Sequence, residues 1–243
     1  MITVLWDIDG TLLDFLAAER EAIRACFALH GMGECSDPML SRYSAINRRY
    51  WERLERGEIT KPEVLVGRFR EFFSSEGLDP ALAAPFNADY QLALGDTCVF
   101  FPGAKEVLTS FHNDPSVRQY GVTNGTAIAQ RKKLAGSGIG DLLDGVFISD
   151  LIGFEKPDIR FFDYVASSIG GFDQNTWIVG DSLTSDMRGA VNAGIHSILF
   201  DPSSSKRPDL RVDRVVEHIE QVRGCVFFLD RERTKEVIGG QII

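Results

Sequence analysis

Short apolar runs alternate with helix-length segments along most of the chain. Each run is bounded by Gly, Asp or Asn, and the runs occupy residues 2–6, 120–123, 145–148, 177–180 and 197–200. The intervening segments that suit helices are residues 104–111, 127–137, 159–169 and 185–193. Strands that are apolar throughout and alternate with helices are typical of a parallel sheet covered on both faces. The pattern therefore predicts an α/β fold.

A different pattern fills the stretch between the first and second apolar runs. From about residue 17 to residue 94 no strand-like run occurs. Apolar side chains instead recur at helical spacing, as at Leu65, Phe69, Phe72 and Phe73. We therefore expect residues 15–97 to form a helical cap domain, inserted into a core made of residues 1–14 and 98–243.

The chain after residue 202 is less regular. A loop rich in Ser, Lys, Arg and Pro leads to a segment that suits a short helix near residues 215–222. The apolar run at 225–229 predicts one more strand, with residues 236–238 as its partner.

Charge and hydropathy exclude several function classes. Twenty-six Lys and Arg against 35 Asp and Glu give a formal net charge of −9. This charge opposes binding to nucleic acid or to anionic lipid over an extended surface. Charge-free stretches fall short of the ~20 residues that span a bilayer, and no basic leader precedes the first apolar run. We expect a cytoplasmic protein that binds neither a nucleic acid polymer nor a membrane.

Polar side chains stand just after the apolar runs. Asp7 and Asp9 follow the first run, and Lys156 lies in the loop after the third. The other members of this set are Thr123, Asn124, Asp181 and Asp186. Ligands of an open parallel sheet bind outside the carboxyl ends of its strands, so we expect these side chains to converge. Unpaired buried charge is costly, and a magnesium ion would explain so many carboxylates in one crevice.

A phosphate ester would complete such a site. We expect Asp7, the Asp9 carbonyl and Asp181 to bind Mg²⁺, with a phosphate oxygen as a further ligand. Lys156 and the segment Thr123-Asn124-Gly125 would bind the remaining phosphate oxygens. Asp7 is then the candidate nucleophile, forming an aspartyl-phosphate, and Asp9 is the candidate general acid and base.

Each pattern also has a purely structural interpretation. Asp-x-Asp-Gly is common in turns, Thr123-Asn124-Gly125 also suits an N-cap, and Lys156 could be a solvated loop lysine. Asp186 could cap a helix, orient Lys156 or hold a metal-bound water. Four aromatic residues of the cap suit either a helical core or stacking on a nucleobase: Phe15, Tyr43, Trp51 and Phe69.

Four ordered motifs resemble those of the haloacid dehalogenase-like hydrolase superfamily. They are Asp7-Ile8-Asp9-Gly10-Thr11-Leu12, Val122-Thr123-Asn124-Gly125, Glu155-Lys156-Pro157, and Gly180-Asp181-Ser182 with Asp186. The resemblance runs from residue 2 to about residue 202. It implies a Rossmann-like core, a helical cap of the C1 type inserted after the first strand, Mg²⁺ dependence and an aspartyl-phosphate intermediate, with the roles on the residues named above.

The cap resembles one branch of that superfamily, the noncanonical pyrimidine nucleotide 5′-phosphatases. The resemblance rests on Tyr43-Ser44-Ala45-Ile46-Asn47, Tyr50-Trp51-Glu52, Glu55-Arg56-Gly57-Glu58-Ile59-Thr60, Arg68-Phe69 and Gly153-Phe154. It implies a phosphatase of the 5′-nucleotidase type that hydrolyses nucleoside 5′-monophosphates. Apart from the resemblance, we expect a monomer or a homodimer. Gly10 departs from the branch, whose members often carry another Asp at that position.

Three other functions fit the same residues. The substrate could be another small phosphorylated metabolite, or the enzyme could be a sugar phosphomutase, which returns the phosphoryl group to a sugar hydroxyl instead of water. A non-enzymatic phospho-ligand-binding protein could use Asp7 as a phosphate acceptor. Carbon–halogen hydrolysis needs no general acid at the second carboxylate, so Asp9 argues against it.

Overall fold

Among residues 1–227, which the computed structural model describes, six strands form one parallel sheet. The strands are β1 (Ile2–Trp6), β2 (Val117–Thr123), β3 (Gly145–Ile148), β4 (Thr176–Gly180), β5 (His196–Phe200) and β6 (Arg214–Val216). Their order across the sheet is β3-β2-β1-β4-β5-β6, and every neighbouring pair is parallel. This confirms the predicted α/β fold with a Rossmann-like parallel sheet core.

Helices precede and connect the strands. Four of them follow β1 directly: α1 (Phe15–Leu29), α2 (Asp37–Glu55), α3 (Lys61–Ser75) and α4 (Ala83–Asp96). The other α-helices up to β5 are α5 (Ala104–His112), α6 (Ala127–Ser137), α7 (Ser149–Ile152), α8 (Ile159–Ile169) and α9 (Arg188–Ala193), the last preceded by a π-helical turn (Leu183–Met187). Within residues 1–227, no helix is both long and apolar enough to cross a membrane.

The sheet is buried on both faces, as its uniformly apolar strands predicted. Leu5 packs on one side among residues of α8, including Phe161. Trp6, the next residue, packs on the other side with Phe111 of α5. Successive strand residues point to opposite faces, so strands covered on both sides are apolar along most of their length.

The helices α1 to α4 have a hydrophobic core of their own. Tyr43 and Phe69, both fully buried, stack there with ring centroids 5.0 Å apart. The two chain segments that lead into and out of these helices are hydrogen-bonded to each other, Asp14 N to Val99 O at 2.7 Å and Phe101 N to Leu12 O at 3.0 Å. A separate core with paired connections supports the division at residues 14/15 and 97/98, which stays our proposal.

The segment after β5 differs from the sequence prediction. Residues 214–216 form the edge strand β6, where the start of a helix was expected. Residues 221–227 are helical, so the predicted strand at 225–229 is wrong for its described part. Val226 belongs to the core beneath the sheet, and a short apolar run suits a buried helix as well as a buried strand. Residues 236–238 lie outside the described part of the chain.

Candidate active site

The carboxyl ends of β1, β2 and β4 border one cavity of about 160 Å³. Its lining includes every residue that the sequence predicted for the site: Asp7, Asp9, Thr123, Asn124, Gly125, Lys156 and Asp181. Asp186 lines it too, and the helices after β1 contribute Phe15, Trp51 and Glu55. Parallel strands end at the same edge of a sheet, which explains why residues so distant in sequence converge.

Lys156 is the most connected side chain of the cavity. It is 1% exposed, and its Nζ donates to Asp7 Oδ1 at 2.8 Å, to Asp186 Oδ1 at 2.6 Å and to Val122 O at 2.9 Å. Burial alone would lower the pKa of Lys156, but the negative charges of Asp186 and Asp7 outweigh burial and raise it. Lys156 is therefore a buried cation at the centre of the site, which rules out a solvated loop lysine.

Asp7 lies at the end of β1 with both carboxylate oxygens engaged. Its Oδ2 accepts a hydrogen bond from Thr11 Oγ1 at 3.1 Å, and its Oδ1 faces Lys156. Burial raises the pKa of Asp7 well above its usual value; Lys156 opposes this rise, and Asp186 and Asp181 add to it. A further positive charge nearby would favour the ionised form of Asp7.

Three carboxylates form a group that can hold a cation. Oxygens of Asp7, Asp181 and Asp186 lie within 4.8 Å of one another. The donors are carboxylates without His or Cys, which is the ligand chemistry of a hard cation such as Mg²⁺. Asp186 already accepts from Lys156 Nζ and, at its Oδ2, from Ser182 N at 3.1 Å. The donor set therefore fits Mg²⁺, with Asp186 holding Lys156.

Asp181 has close neighbours on two sides. Burial raises the pKa of Asp181 above its usual value. The ammonium of Lys206, 3.2 Å from Asp181 Oδ2, partly opposes this rise. On the other side Gly10 has a φ of +98°, and a Cβ there would lie 2.7 Å from Asp181 Oδ1. Side chains rarely adopt that conformation. An Asp at position 10, frequent in the related branch, would be strained here and would crowd Asp181.

The end of β2 and the residues after it supply a hydrogen-bond donor for a ligand and a side chain that fixes a neighbouring loop. Thr123 Oγ1 accepts from Gly125 N at 3.0 Å, which leaves the hydroxyl proton for a ligand. The Asn124 side chain, in contrast, binds the backbone of Lys156 at two points and Ser185 Oγ at 3.3 Å. These bonds engage both N–H groups and the oxygen of the Asn124 amide, so the amide holds the backbone of Lys156 in place, and the phosphate contact expected of Asn124 stays a prediction.

Asp9 is oriented by two residues that the sequence analysis did not single out. Its Oδ2 accepts from Gln130 Nε2 at 2.5 Å, and its Oδ1 pairs with Lys133 Nζ. Both partners belong to α6, which begins just after Thr123-Asn124-Gly125. Their spacing of three residues places them on one face of that helix, and this spacing was a signal available in the sequence.

The cap side of the cavity consists of Phe15, Trp51 and Glu55. Tyr43 and Phe69 are core residues of the helices instead, so two of the four candidate stacking residues do not reach the cavity. Glu55 accepts hydrogen bonds from Ser182 Oγ at 3.3 Å and from Thr184 Oγ1. Burial raises the pKa of Glu55 to about 8. The sequence analysis included Glu55 only as part of a cap motif and did not single out Lys206 in its irregular loop, because only the tertiary fold brings these two residues to the cavity.

Comparison with known proteins agrees with this geometry. The sequence model of the haloacid dehalogenase-like hydrolases matches residues 1–194. HAD-hydrolase YfnB of Bacillus subtilis is 33% identical over 82% of this chain and 84% of its own. The pyrimidine 5′-nucleotidase PynA of Streptococcus pneumoniae is 34% identical over 82% of this chain and 83% of its own. A pyrimidine 5′-nucleotidase of Escherichia coli, YjjG, is 27% identical over 69% and 72%.

A solved structure extends the similarity to three dimensions. The crystal structure of YfnB bound to magnesium superposes with a TM-score of 0.86 at 30% identity, covering 93% of this chain and 98% of that one. The resemblance to the superfamily, and to its branch of pyrimidine nucleotidases, is thereby confirmed. With a family match over residues 1–194 and four motifs gathered in one cavity, the chain is an enzyme that belongs to the haloacid dehalogenase-like hydrolases.

Proposed function

We propose that this enzyme is a Mg²⁺-dependent phosphomonoesterase that hydrolyses nucleoside 5′-monophosphates, with pyrimidine nucleotides preferred. The observation that carries the proposal is the placement of Lys156 between Asp7 and Asp186 at the floor of the cavity. A buried ammonium beside a carboxylate nucleophile suits a substrate that brings its own negative charge. The net charge of −9 opposes a nucleic acid polymer as the substrate.

Asp7 and Asp9 divide the chemistry between them. In the first step Asp7 attacks phosphorus, a bond forms between its carboxylate oxygen and phosphorus, and the ester bond to the nucleoside breaks. Asp9 gives its proton to the departing 5′-oxygen. In the second step a water attacks phosphorus, Asp9 takes a proton from that water, and Asp7 is released together with inorganic phosphate.

The other residues of the site hold the phosphoryl group. Lys156 and the Thr123 hydroxyl donate to its oxygens, and Asp186 keeps Lys156 in place. Asp7, the Asp9 carbonyl and Asp181 would hold Mg²⁺, which would offset the repulsion between the carboxylates and the phosphate. All of these residues come from one chain, so the proposed enzyme can work as a monomer or as a homodimer.

The preference for nucleotides rests on the relatives and on the cap. PynA and YjjG are named pyrimidine 5′-nucleotidases, and Phe15 and Trp51 offer aromatic surface at the cap side of the cavity. Aromatic side chains favour stacking with a nucleobase. Another small phosphate ester would use the same catalytic residues without that surface.

Release of inorganic phosphate from a substrate panel tests the proposal. Pyrimidine and purine nucleoside 5′-monophosphates, sugar phosphates and phosphoserine are incubated with the enzyme, with Mg²⁺ and with EDTA. We expect metal-dependent release with the highest kcat/KM for pyrimidine nucleotides. Preferred release from a sugar phosphate or phosphoserine would refute the substrate assignment, and transfer of the phosphoryl group to a sugar hydroxyl would identify a phosphomutase.

A further inference from the structure

The carboxylate of Asp9 is held from one side by a pair of buried side chains of α6. Gln130 Nε2 donates to Asp9 Oδ2 at 2.5 Å, and Lys133 Nζ pairs with Asp9 Oδ1. Each carboxylate oxygen thus has its own donor, which fixes both the position and the rotation of the carboxylate plane. Two donors on the same rigid helix define that orientation better than loop residues would.

The burial of these donors argues against an incidental surface contact. Gln130 and Lys133 are each 1% exposed, while the Asp9 side chain is 19% exposed toward the cavity. A buried ion pair adds little to stability compared with an apolar pair of the same shape. Stability alone therefore gives no reason for a lysine at position 133, and the task of Asp9 at the cavity provides one.

The hydrogen bonding of the Gln130 amide is unusual for a buried side chain. Its Oε1 is buried and has no hydrogen-bond partner among residues 1–227, which is rare for a buried amide. Its Nε2 lies 2.1 Å from the point where a Cβ on Gly125 would stand. Any side chain at position 125 would push the Gln130 amide away from Asp9. Gly125 of the second motif is thereby linked to Asp9 of the first.

A residue of the cap contacts Lys133 of this pair. The Nζ of Lys133 lies 5.6 Å from the ring centroid of Phe15, the first residue of α1. An ammonium at this distance from an aromatic face is attracted to it. The charge that holds Asp9 is thus covered by a residue of the cap.

We propose that Gln130 and Lys133 are positioning residues that aim the carboxylate of Asp9 at the oxygen of the departing nucleoside. This inference rests on the proposed function, because it takes Asp9 as the general acid. Proton transfer in the transition state depends on the placement of the donor to within a fraction of an ångström. Removing either partner lets the Asp9 carboxylate rotate, so that fewer enzyme molecules hold it in line with the leaving oxygen.

Two substrates with different leaving groups separate this role from a merely structural one. Uridine 5′-monophosphate releases an alkoxide that needs a proton, whereas p-nitrophenyl phosphate releases a stable phenolate that needs none. The value of kcat/KM reports the steps up to phosphoryl transfer to Asp7, which include the proton donation. Misplacement of the Asp9 carboxylate should therefore lower kcat/KM for uridine 5′-monophosphate and leave kcat/KM for p-nitrophenyl phosphate nearly unchanged.

The test compares Lys133→Met with Lys132→Met, a matched control on the same helix. Lys132 is partly exposed and pairs with Asp96 at 2.6 Å, away from Asp9. For Lys133→Met we expect kcat/KM on uridine 5′-monophosphate to fall by roughly 10²-fold, the usual scale of acid–base catalysis. On p-nitrophenyl phosphate we expect a loss of about threefold or less, and Lys133→Arg should restore most of the nucleotide activity. Lys132→Met should match the wild type on both substrates.

Equal losses on the two substrates, or no loss on either, would overturn the inference. In Asp9→Asn, adding Lys133→Met should bring no further loss, since residues that act through one another are not additive; full additivity would count against the proposal. If Lys133→Met does not fold, as judged by circular dichroism, Gln130→Leu takes its place in the same comparison. A wild-type enzyme that hydrolyses neither ester, or an Asp9→Asn variant without leaving-group selectivity, would instead refute the proposed function itself.

Discussion

Asn124 and Lys156 are joined by two hydrogen bonds of equal length. Asn124 Nδ2 donates to Lys156 O, and Lys156 N donates to Asn124 Oδ1, both at 2.8 Å. One side chain at the end of β2 thus fixes the backbone of the loop between α7 and α8. Because the Nζ of Lys156 extends from that backbone to Asp7 and Asp186, the position of the cation depends on the amide of Asn124.

We therefore expect Asn124→Ala to impair both stability and catalysis. Two buried backbone groups would lose their partners, each at a cost of about 1–3 kcal/mol in the free energy of unfolding. Displacement of Lys156 would lower kcat/KM on the order of 10²-fold. The matched control is Asn192→Ala, since Asn192 Nδ2 binds Pro157 O of the same loop from the exposed side at 2.8 Å. Similar losses in the two variants, in urea unfolding and phosphate release, would contradict this role of Asn124.

The sequence predicted the strand-end residues because the rule behind them is simple. Parallel strands bring their carboxyl ends to one edge, so Asp7, Thr123 and Asp181 had to lie near one another once the strands were identified. Contacts that depend on how helices and loops pack could not be predicted from the sequence. Glu55 reaches Ser182 only because α2 ends above β4, and Lys206 reaches Asp181 only through the path of the loop after β5.

The segment at residues 225–227 shows why a local pattern fails. Cys225, Val226 and Phe227 read as a strand, yet they are helical and pack in or against the core beneath the sheet. A run of three or four apolar residues buries equally well as one turn of a fully covered helix. Whether such a run forms a strand or a helix depends on the surface against which it packs. Here that surface includes Phe111 of α5, whose ring centroid lies 6.2 Å from that of Phe227.

Asp7→Asn is expected to abolish turnover and to leave the fold intact. An amide cannot form the acyl phosphate, so kcat should fall by roughly 10³-fold or more. Asparagine has nearly the same shape as aspartate, and Lys156 would keep its hydrogen bond to Asp186, so we expect the fold to tolerate the change. Phosphate release and thermal unfolding would be compared with Asp37→Asn, a change on the exposed side of the cap, where the Asp37 side chain is 74% exposed. Activity at a tenth of wild type or more would exclude a covalent intermediate on Asp7.

Glu55 makes the stability of the metal-free protein depend on pH. Burial raises its pKa to about 8 in the folded chain, from 4.5 when the carboxyl group is free in water. Between these values the folded state binds more protons than the unfolded state, so the free energy of unfolding decreases as the pH rises. The decrease is complete above about pH 8. It is absent below about pH 4.5, where Glu55 is protonated in both states.

Glu55→Gln should remove that dependence, because glutamine stays neutral. We expect the variant to gain on the order of 2 kcal/mol over the wild type between pH 5 and pH 8.5, measured by urea unfolding in EDTA. Glu52→Gln, one turn earlier on α2 with its side chain 39% exposed, is the control for the loss of a carboxylate. A difference between Glu55→Gln and wild type that stays constant with pH would show that Glu55 is ionised throughout.

Trp51 is expected to determine the preference for a nucleotide leaving group. It lines the cavity from α2, whereas its neighbour Tyr50 points away and contacts the position of Gly67. Stacking on a base contributes about 1–3 kcal/mol, so Trp51→Ala should lower kcat/KM for uridine 5′-monophosphate by roughly tenfold or more. A small ester such as glycerol 2-phosphate has no base to stack, and its kcat/KM should stay within about twofold.

Tyr50→Ala provides the comparison that isolates stacking from general damage to the cap. Both changes remove a large aromatic side chain from the same helix, but only Trp51 lines the cavity. If Tyr50→Ala lowers nucleotide hydrolysis as much as Trp51→Ala, the effect comes from cap stability. If Trp51→Ala instead lowers hydrolysis of both esters alike, Trp51 acts in closing the cap over the phosphate, and the base must be recognised elsewhere, with Phe15 as the other aromatic wall of the cavity.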